Sequence, residues 1–100
     1  MPKELKVPKE AKDEARKGLK ERKDNNAGLT PKEARDLGVY SGVAMANKII
    51  SSKFLGEDDL KRIARFHLRF KKCNTPKCKT AKSLWGGSKF GKLLYKIYYS

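Results

Sequence analysis

One hundred residues hold one domain at most, and a hydrophobic share of 38% supplies only a thin core. Lys and Arg number 25 against 11 Asp and Glu, a formal net charge of +14 with a pI near 10.0. With no apolar run near the roughly 20 residues of a membrane span, these figures exclude a membrane protein, a secreted disulfide scaffold and a large enzyme.

A secretory signal is not expected of Met1-Pro2-Lys3-Glu4, which lacks an apolar stretch. Residues 1–26 contain no aromatic. Ala11, Ala15 and Leu19 recur at helical spacing beside Val7, but alanine buries little area. Among residues four apart, Asp13/Lys17 and Lys17/Glu21 attract while Arg16/Lys20 repels. The expectation is a polar, helix-prone arm, dispensable for folding, followed by a small basic helical domain over residues 27–100. Asp24-Asn25-Asn26-Ala27-Gly28 breaks the arm, because Asn and Gly favour turns.

Thr30-Pro31-Lys32-Glu33 opens a short helix: Thr caps, Pro takes the first helical position and Glu33 reaches back to the cap amide. Gly38 closes it. Ser41 caps a second helix through Val43, Met45, Ala46, Ile49 and Ile50, whose small residues Gly42, Ala44 and Ala46 admit a close neighbour. Glu57, Asp58 and Asp59 then load the first turn of a third helix with charge that its dipole favours. In that helix Leu60, Ile63, Ala64, Phe66, His67 and Phe70 share an arc of about 160°, opposite Lys61, Arg62, Arg65, Arg69 and Lys72 within about 100°. Thr75-Pro76 repeats the helix start, and Gly86-Gly87 stops that helix after Leu84 and Trp85. Ser88 caps the last helix, with Phe90, Leu93, Leu94, Ile97 and Tyr98 inward. No segment alternates apolar and polar residues over strand length. The predicted fold is all-α, a compact bundle of four or five short helices. Its expected core comprises Val43, Ala46, Ile49, Ile50, Leu60, Ile63, Ala64, Phe66, His67, Leu84, Trp85, Leu94 and Ile97.

Charge is divided along the chain. Residues 1–59 carry 13 basic and 11 acidic side chains, whereas residues 60–100 carry 12 basic and none acidic, with seven of the nine aromatics. A cationic, aromatic-rich half points to a polyanion. The expected nucleic-acid contacts are Lys61, Arg62, Arg65, Arg69 and Lys72 on one helix face, continued by Lys79, Lys82, Lys89, Lys92 and Lys96. Cations spaced by one turn can follow a line of phosphates, and arginine binds phosphate bidentately.

Enzyme chemistry finds little support. Cys73 and Cys78 have a spacing that zinc sites use, but further ligands are missing nearby, so no metal is expected. In an intracellular chain both thiols stay reduced, Cys78 packing as a small apolar residue and Cys73 standing in a loop; a local disulfide is the alternative. His67 falls within the apolar arc and reads as a satisfied core residue. Gly86-Gly87 follows no strand and so is no nucleotide fingerprint. Neither a catalytic residue nor a cofactor is expected.

Ser41-Gly42-Val43-Ala44-Met45-Ala46-Asn47-Lys48-Ile49, Lys61-Arg62-Ile63-Ala64-Arg65-Phe66-His67 and Leu84-Trp85-Gly86-Gly87 stand in an order that resembles small helical domains of tailed-bacteriophage proteins. Ala27-Gly28-Leu29 and Glu33-Ala34-Arg35 fit as well, and the resemblance covers roughly residues 27–95. Departures are His67 in place of a second aromatic, Phe70 in place of a frequent His, and a longer turn at Ser88-Lys89-Phe90-Gly91. The resemblance implies a viral origin and an all-α fold and brings no metal or catalytic residue. The leading expectation is therefore a small phage-encoded non-enzymatic nucleic-acid-binding protein, with DNA favoured over RNA, acting in the host cytoplasm or packaged in the virion. The alternatives are a virion or assembly protein and an inhibitor of a host protein, both acting through protein contacts. No membrane partner is expected.

Overall fold

The structure, a computed structural model, describes residues 2–25, 28, 30–38 and 40–99. Asn26 and Ala27 of the expected turn, and Leu29, lie outside the described residues. The elements follow the order β1 (Glu4–Lys6), α1 (Lys9–Asn25), α2 (Pro31–Leu37), α3 (Gly42–Ser51), β2 (Phe54–Gly56), α4 (Glu57–Phe70), α5 (Pro76–Leu84) and α6 (Ser88–Tyr99). The fold is all-α, with one tiny antiparallel sheet that pairs Leu5 with Leu55.

Local chemistry sets the helix boundaries. Thr30 accepts from the Glu33 amide while Glu33 accepts from the Thr30 amide, completing the capping box, and Gly38 ends α2 at φ 71°. Ser41 caps α3 through the Ala44 amide, and Thr75 caps α5 through the Cys78 amide. After α5 the chain reverses through Gly86 and Gly87, both with φ near 90° (91° and 89°), a conformation that residues with a Cβ avoid. Their amides close the helix end on Ser83 and Lys82 carbonyls.

Helix α1 packs on α5 and α3, while α4 packs on α6. Met45, Ile49, Leu55, Leu60, Ile63, Leu84 and Leu94 are fully buried among them. Of the expected core, Ala46, Ala64, His67 and Trp85 are also buried, whereas Val43, Ile50, Phe66 and Ile97 are only half-buried.

The expectation of a separate N-terminal arm is corrected. Val7, Ala11 and Ala15 belong to the same buried cluster as the rest of the core. Strand β1 completes the sheet, the Val7 amide donates to the Lys53 carbonyl at 2.9 Å, and Tyr98 Oη donates to the Pro2 carbonyl at 2.6 Å. Six helices among the described residues replace the expected four or five, the addition being α1. The physical reason is the stripe Ala11, Ala15, Gly18: each residue buries little area, but together they let two backbones approach. A Cβ on Gly18 would stand 2.6 Å from the Leu84 amide nitrogen and 3.0 Å from the Ser83 carbonyl carbon. Ser83 Oγ, from that same turn, donates to Glu14 Oε2 at 3.0 Å.

This contact reverses an ordinary rule. Gly→Ala inside a helix normally stabilises by up to about 1 kcal/mol. Gly18→Ala is expected to destabilise by about 1–3 kcal/mol, because the obstructing atoms are backbone and cannot swing aside. A lowered thermal midpoint checks this, and a chain without residues 2–25 is expected to melt far below the intact protein.

Candidate nucleic-acid interface

Helix α4 presents three sectors in turn. Leu60, Ile63, Ala64 and His67 face the core; Phe66 and Phe70 are half-buried beside them; Arg62, Arg65 and Arg69 follow on the outer side. The middle sector meets two rings from other segments. Phe66 stacks on Trp85 with centroids 4.7 Å apart and planes 8° apart, and Tyr40 meets Trp85 edge-on at 6.0 Å. Phe70 leans on Phe66 at 4.9 Å. The Arg62 guanidinium lies 4.9 Å above the Tyr40 ring. These side chains, with Gly28, Gly42 and Ala81, line an open groove of about 480 Å³. Among the described residues, no carboxylate lines it.

Trp85 is held in place from below. His67 is buried, and its Nε2 lies 3.0 Å from the Trp85 carbonyl oxygen. A carbonyl only accepts, so Nε2 carries the proton and the ring is the neutral Nε2–H tautomer. Burial pushes the His67 pKa down to about 4; the hydrogen bond to Trp85 opposes the shift and the nearby Lys82 charge adds to it. Gly91 on α6 lies against the imidazole: a Cβ there would sit 2.0 Å from His67 Cγ.

The ten expected contacts do not form one stripe. Arg62, Arg65 and Arg69 share the aromatic groove. Lys89, Lys92 and Lys96 line a different, larger groove of about 910 Å³ between α1 and α6, facing Glu10, Asp13 and Glu14. Carboxylates from the first half of the chain reach at least three of the ten. Lys61 pairs with Glu57 at 2.7 Å, which raises the lysine pKa and lowers that of the glutamate. Arg62 Nη1 meets Asp59 Oδ1 at 3.2 Å, on a buried carboxylate that Lys48 also binds. Lys89 stands 3.8 Å from Glu10, both side chains largely exposed, an arrangement of little energetic weight.

Lys82 is half-buried and donates from Nζ to the Cys73 carbonyl at 2.6 Å, so it serves the α4–α5 loop. That loop is also tied by a Cys73–Cys78 disulfide, with Cα atoms 6.0 Å apart, which corrects the expectation of reduced thiols with Cys78 in the core. Arg65 Nη1 donates to Tyr99 Oη at 3.1 Å. Among the described residues, Arg69, Lys72, Lys79 and Lys92 have neither an ion pair nor a hydrogen bond from the side chain, and all four are exposed.

Tyr40 is the groove residue that sequence reasoning missed. It lies between α2 and α3, where no helical period assigns a face. Phe66 and Trp85 were expected only as packing residues, yet both also line the groove. No group of three or more His, Cys, Asp or Glu that could hold a metal ion occurs among the described residues. No helix there is long and apolar enough to cross a membrane. No family model, curated protein or solved structure matches the chain.

The neutral His67 makes the fold sensitive to acid. The unfolded chain takes up a proton near pH 6.5, whereas the folded chain resists until about pH 4. The stability present above pH 6.5 therefore drains away as pH falls, by about 2 kcal/mol between pH 6.5 and 5, and levels off below about 4. His67→Gln, whose amide nitrogen can still donate to Trp85, is expected to flatten this dependence between pH 6.5 and 5. Thermal midpoints across that range, read by Trp85 fluorescence, measure it.

Proposed function

We propose that this chain is a small non-enzymatic nucleic-acid-binding protein of tailed-phage origin that holds DNA mainly through its phosphates. The observation that carries the reading is Arg65 and Arg69, one turn apart on α4 along a rim whose lining among the described residues holds no carboxylate, with Arg62, itself held by Asp59, beside them. Such a rim matches a run of phosphates in sign and gives each a bidentate partner. Lys72 and Lys79, exposed just beyond the end of α4 and in α5, extend the positive field. The first-half carboxylates reach Lys61, Arg62 and Lys89 and leave Arg69 unpaired.

A catalytic reading has less to draw on. His67 is buried with Nε2 engaged by a carbonyl, and both cysteine sulfurs are bonded to each other. The resemblance of the Ser-Gly-Val-Ala and Leu-Trp-Gly-Gly stretches to phage domains supports the viral origin, with action in the host cytoplasm and packaging in the virion as a second setting.

Arg65→Ala with Arg69→Ala is expected to weaken DNA binding and to lower the slope of log affinity against log salt by about two, one for each lost phosphate contact. The thermal midpoint is expected to change little, because both side chains are exposed and Arg65 loses only its bond to Tyr99. A salt series on duplex and single-stranded DNA checks both statements. Unchanged affinity and slope on both ligands would sink the phosphate reading in favour of a protein partner.

A further inference from the structure

The aromatic half of the α4 groove has no role in holding phosphates. Resting on the nucleic-acid reading above, we propose that the groove between Tyr40, α4 and Trp85 receives an unpaired base of single-stranded DNA, with the adjoining phosphates on Arg65 and Arg69.

Four rings converge on the groove, where half-buried Phe66 lies stacked on the buried Trp85. Tyr40 is 37% exposed and stands as the accessible wall, with Phe70 half-buried along the helix. A volume near 480 Å³ lies in the range of about 300–1,000 Å³ for clefts that take small planar ligands. Arginines border the rings, so a planar, uncharged group and an anion joined to it are satisfied together. A nucleotide has that chemistry, and base-on-ring stacking tolerates any sequence.

Two competing ligands fit less well. A duplex keeps its bases paired and stacked on each other; it offers the rim its phosphates but nothing for the rings. An acidic peptide likewise uses only the rim. The choice of DNA over RNA rests on the lining. Among the described residues that line it, none carries a carboxylate or amide side chain to accept from a ribose 2′-hydroxyl, the group through which proteins select RNA.

Arg62 acts differently from its two neighbours. Its guanidinium is held by Asp59 and covers the Tyr40 ring, so it positions that ring. Arg69 is unpaired and Arg65 is anchored only to a neutral hydroxyl, which leaves both available to an anion.

Trp85, the chain's sole tryptophan, is a built-in reporter on the groove. The intact protein is titrated with a short oligothymidylate, a duplex of the same length, an oligouridylate of the same length and heparin, a polyanion without bases. The expected result is quenching of Trp85 by oligothymidylate beyond that by heparin or duplex. Tyr40→Ala should weaken oligothymidylate binding by at least about fivefold, with heparin and duplex affinities unchanged, and Tyr40→Phe should restore it. Circular dichroism of both variants confirms folding; if Tyr40→Ala does not fold, Tyr40→Leu, apolar but without a ring to stack on, takes its place.

Equal quenching by heparin, or indifference of oligothymidylate binding to the loss of the ring, would overturn the base site while leaving phosphate binding intact. Tighter binding of oligouridylate than oligothymidylate would overturn the choice of DNA. Failure to bind any of the four ligands would overturn the nucleic-acid reading itself.

Discussion

The hydrogen bond from neutral His67 to the Trp85 carbonyl is the contact on which the remainder of the structure turns. It joins α4 to the end of α5 at the point where the chain reverses through Gly86 and Gly87. Gly91 lets α6 close over the imidazole, so three helices meet at one ring. A buried polar group without a partner is costly, and here a carbonyl freed by the end of a helix supplies the acceptor. The arrangement also fixes the indole: its backbone is held by His67, its face by Phe66 and its edge by Tyr40. The geometry of the groove is therefore inherited from a core contact.

Charge segregation along the chain becomes a different pattern in space. Acidic residues of α1 and of the first turn of α4 reach toward the cations of α4 and α6. Their effect is selective. The α6 lysines look across a groove at Glu10, Asp13 and Glu14, whereas the lining on the arginine side of α4 holds no carboxylate among the described residues. Exposed pairs such as Lys89 with Glu10 add little stability, but they reduce the local positive field. A net charge of +14 thus includes one arginine rim lined by no carboxylate among the described residues and one groove of mixed charge.

Small residues explain where composition misleads. Ala11, Ala15 and Gly18 carry almost no transferable apolar area, so residues 1–26 read as an arm. What they contribute is the absence of obstruction. Backbone-to-backbone approach at Gly18 and Leu84 gathers many weak contacts whose sum depends on distance, which a hydropathy pattern does not register. The three-residue strands β1 and β2 escape for a similar reason: each is too short for alternation to stand out, and they are distant in the chain.

The sequence alone determined the elements governed by local rules. Thr30, Ser41 and Thr75 announce helix starts, because capping is decided within four residues. The strong amphipathicity of residues 57–70 fixes which side of α4 faces inward and therefore which arginines face out. The all-α class and most of the central core follow from that periodicity. Only tertiary structure decided what depends on neighbours distant in the chain: the docking of α1, the partition of the cations between two grooves, and the pairing of Lys61 and Arg62 with carboxylates. Tyr40 is the clearest case. Nothing in its immediate sequence assigns it a face, and it becomes a wall of the groove because α3 and α5 carry it and Trp85 to the same side of α4, where a guanidinium can lie on its ring. Local rules act through a few covalent bonds and can be read residue by residue; a groove is a relation between surfaces, and it exists only once the helices have packed.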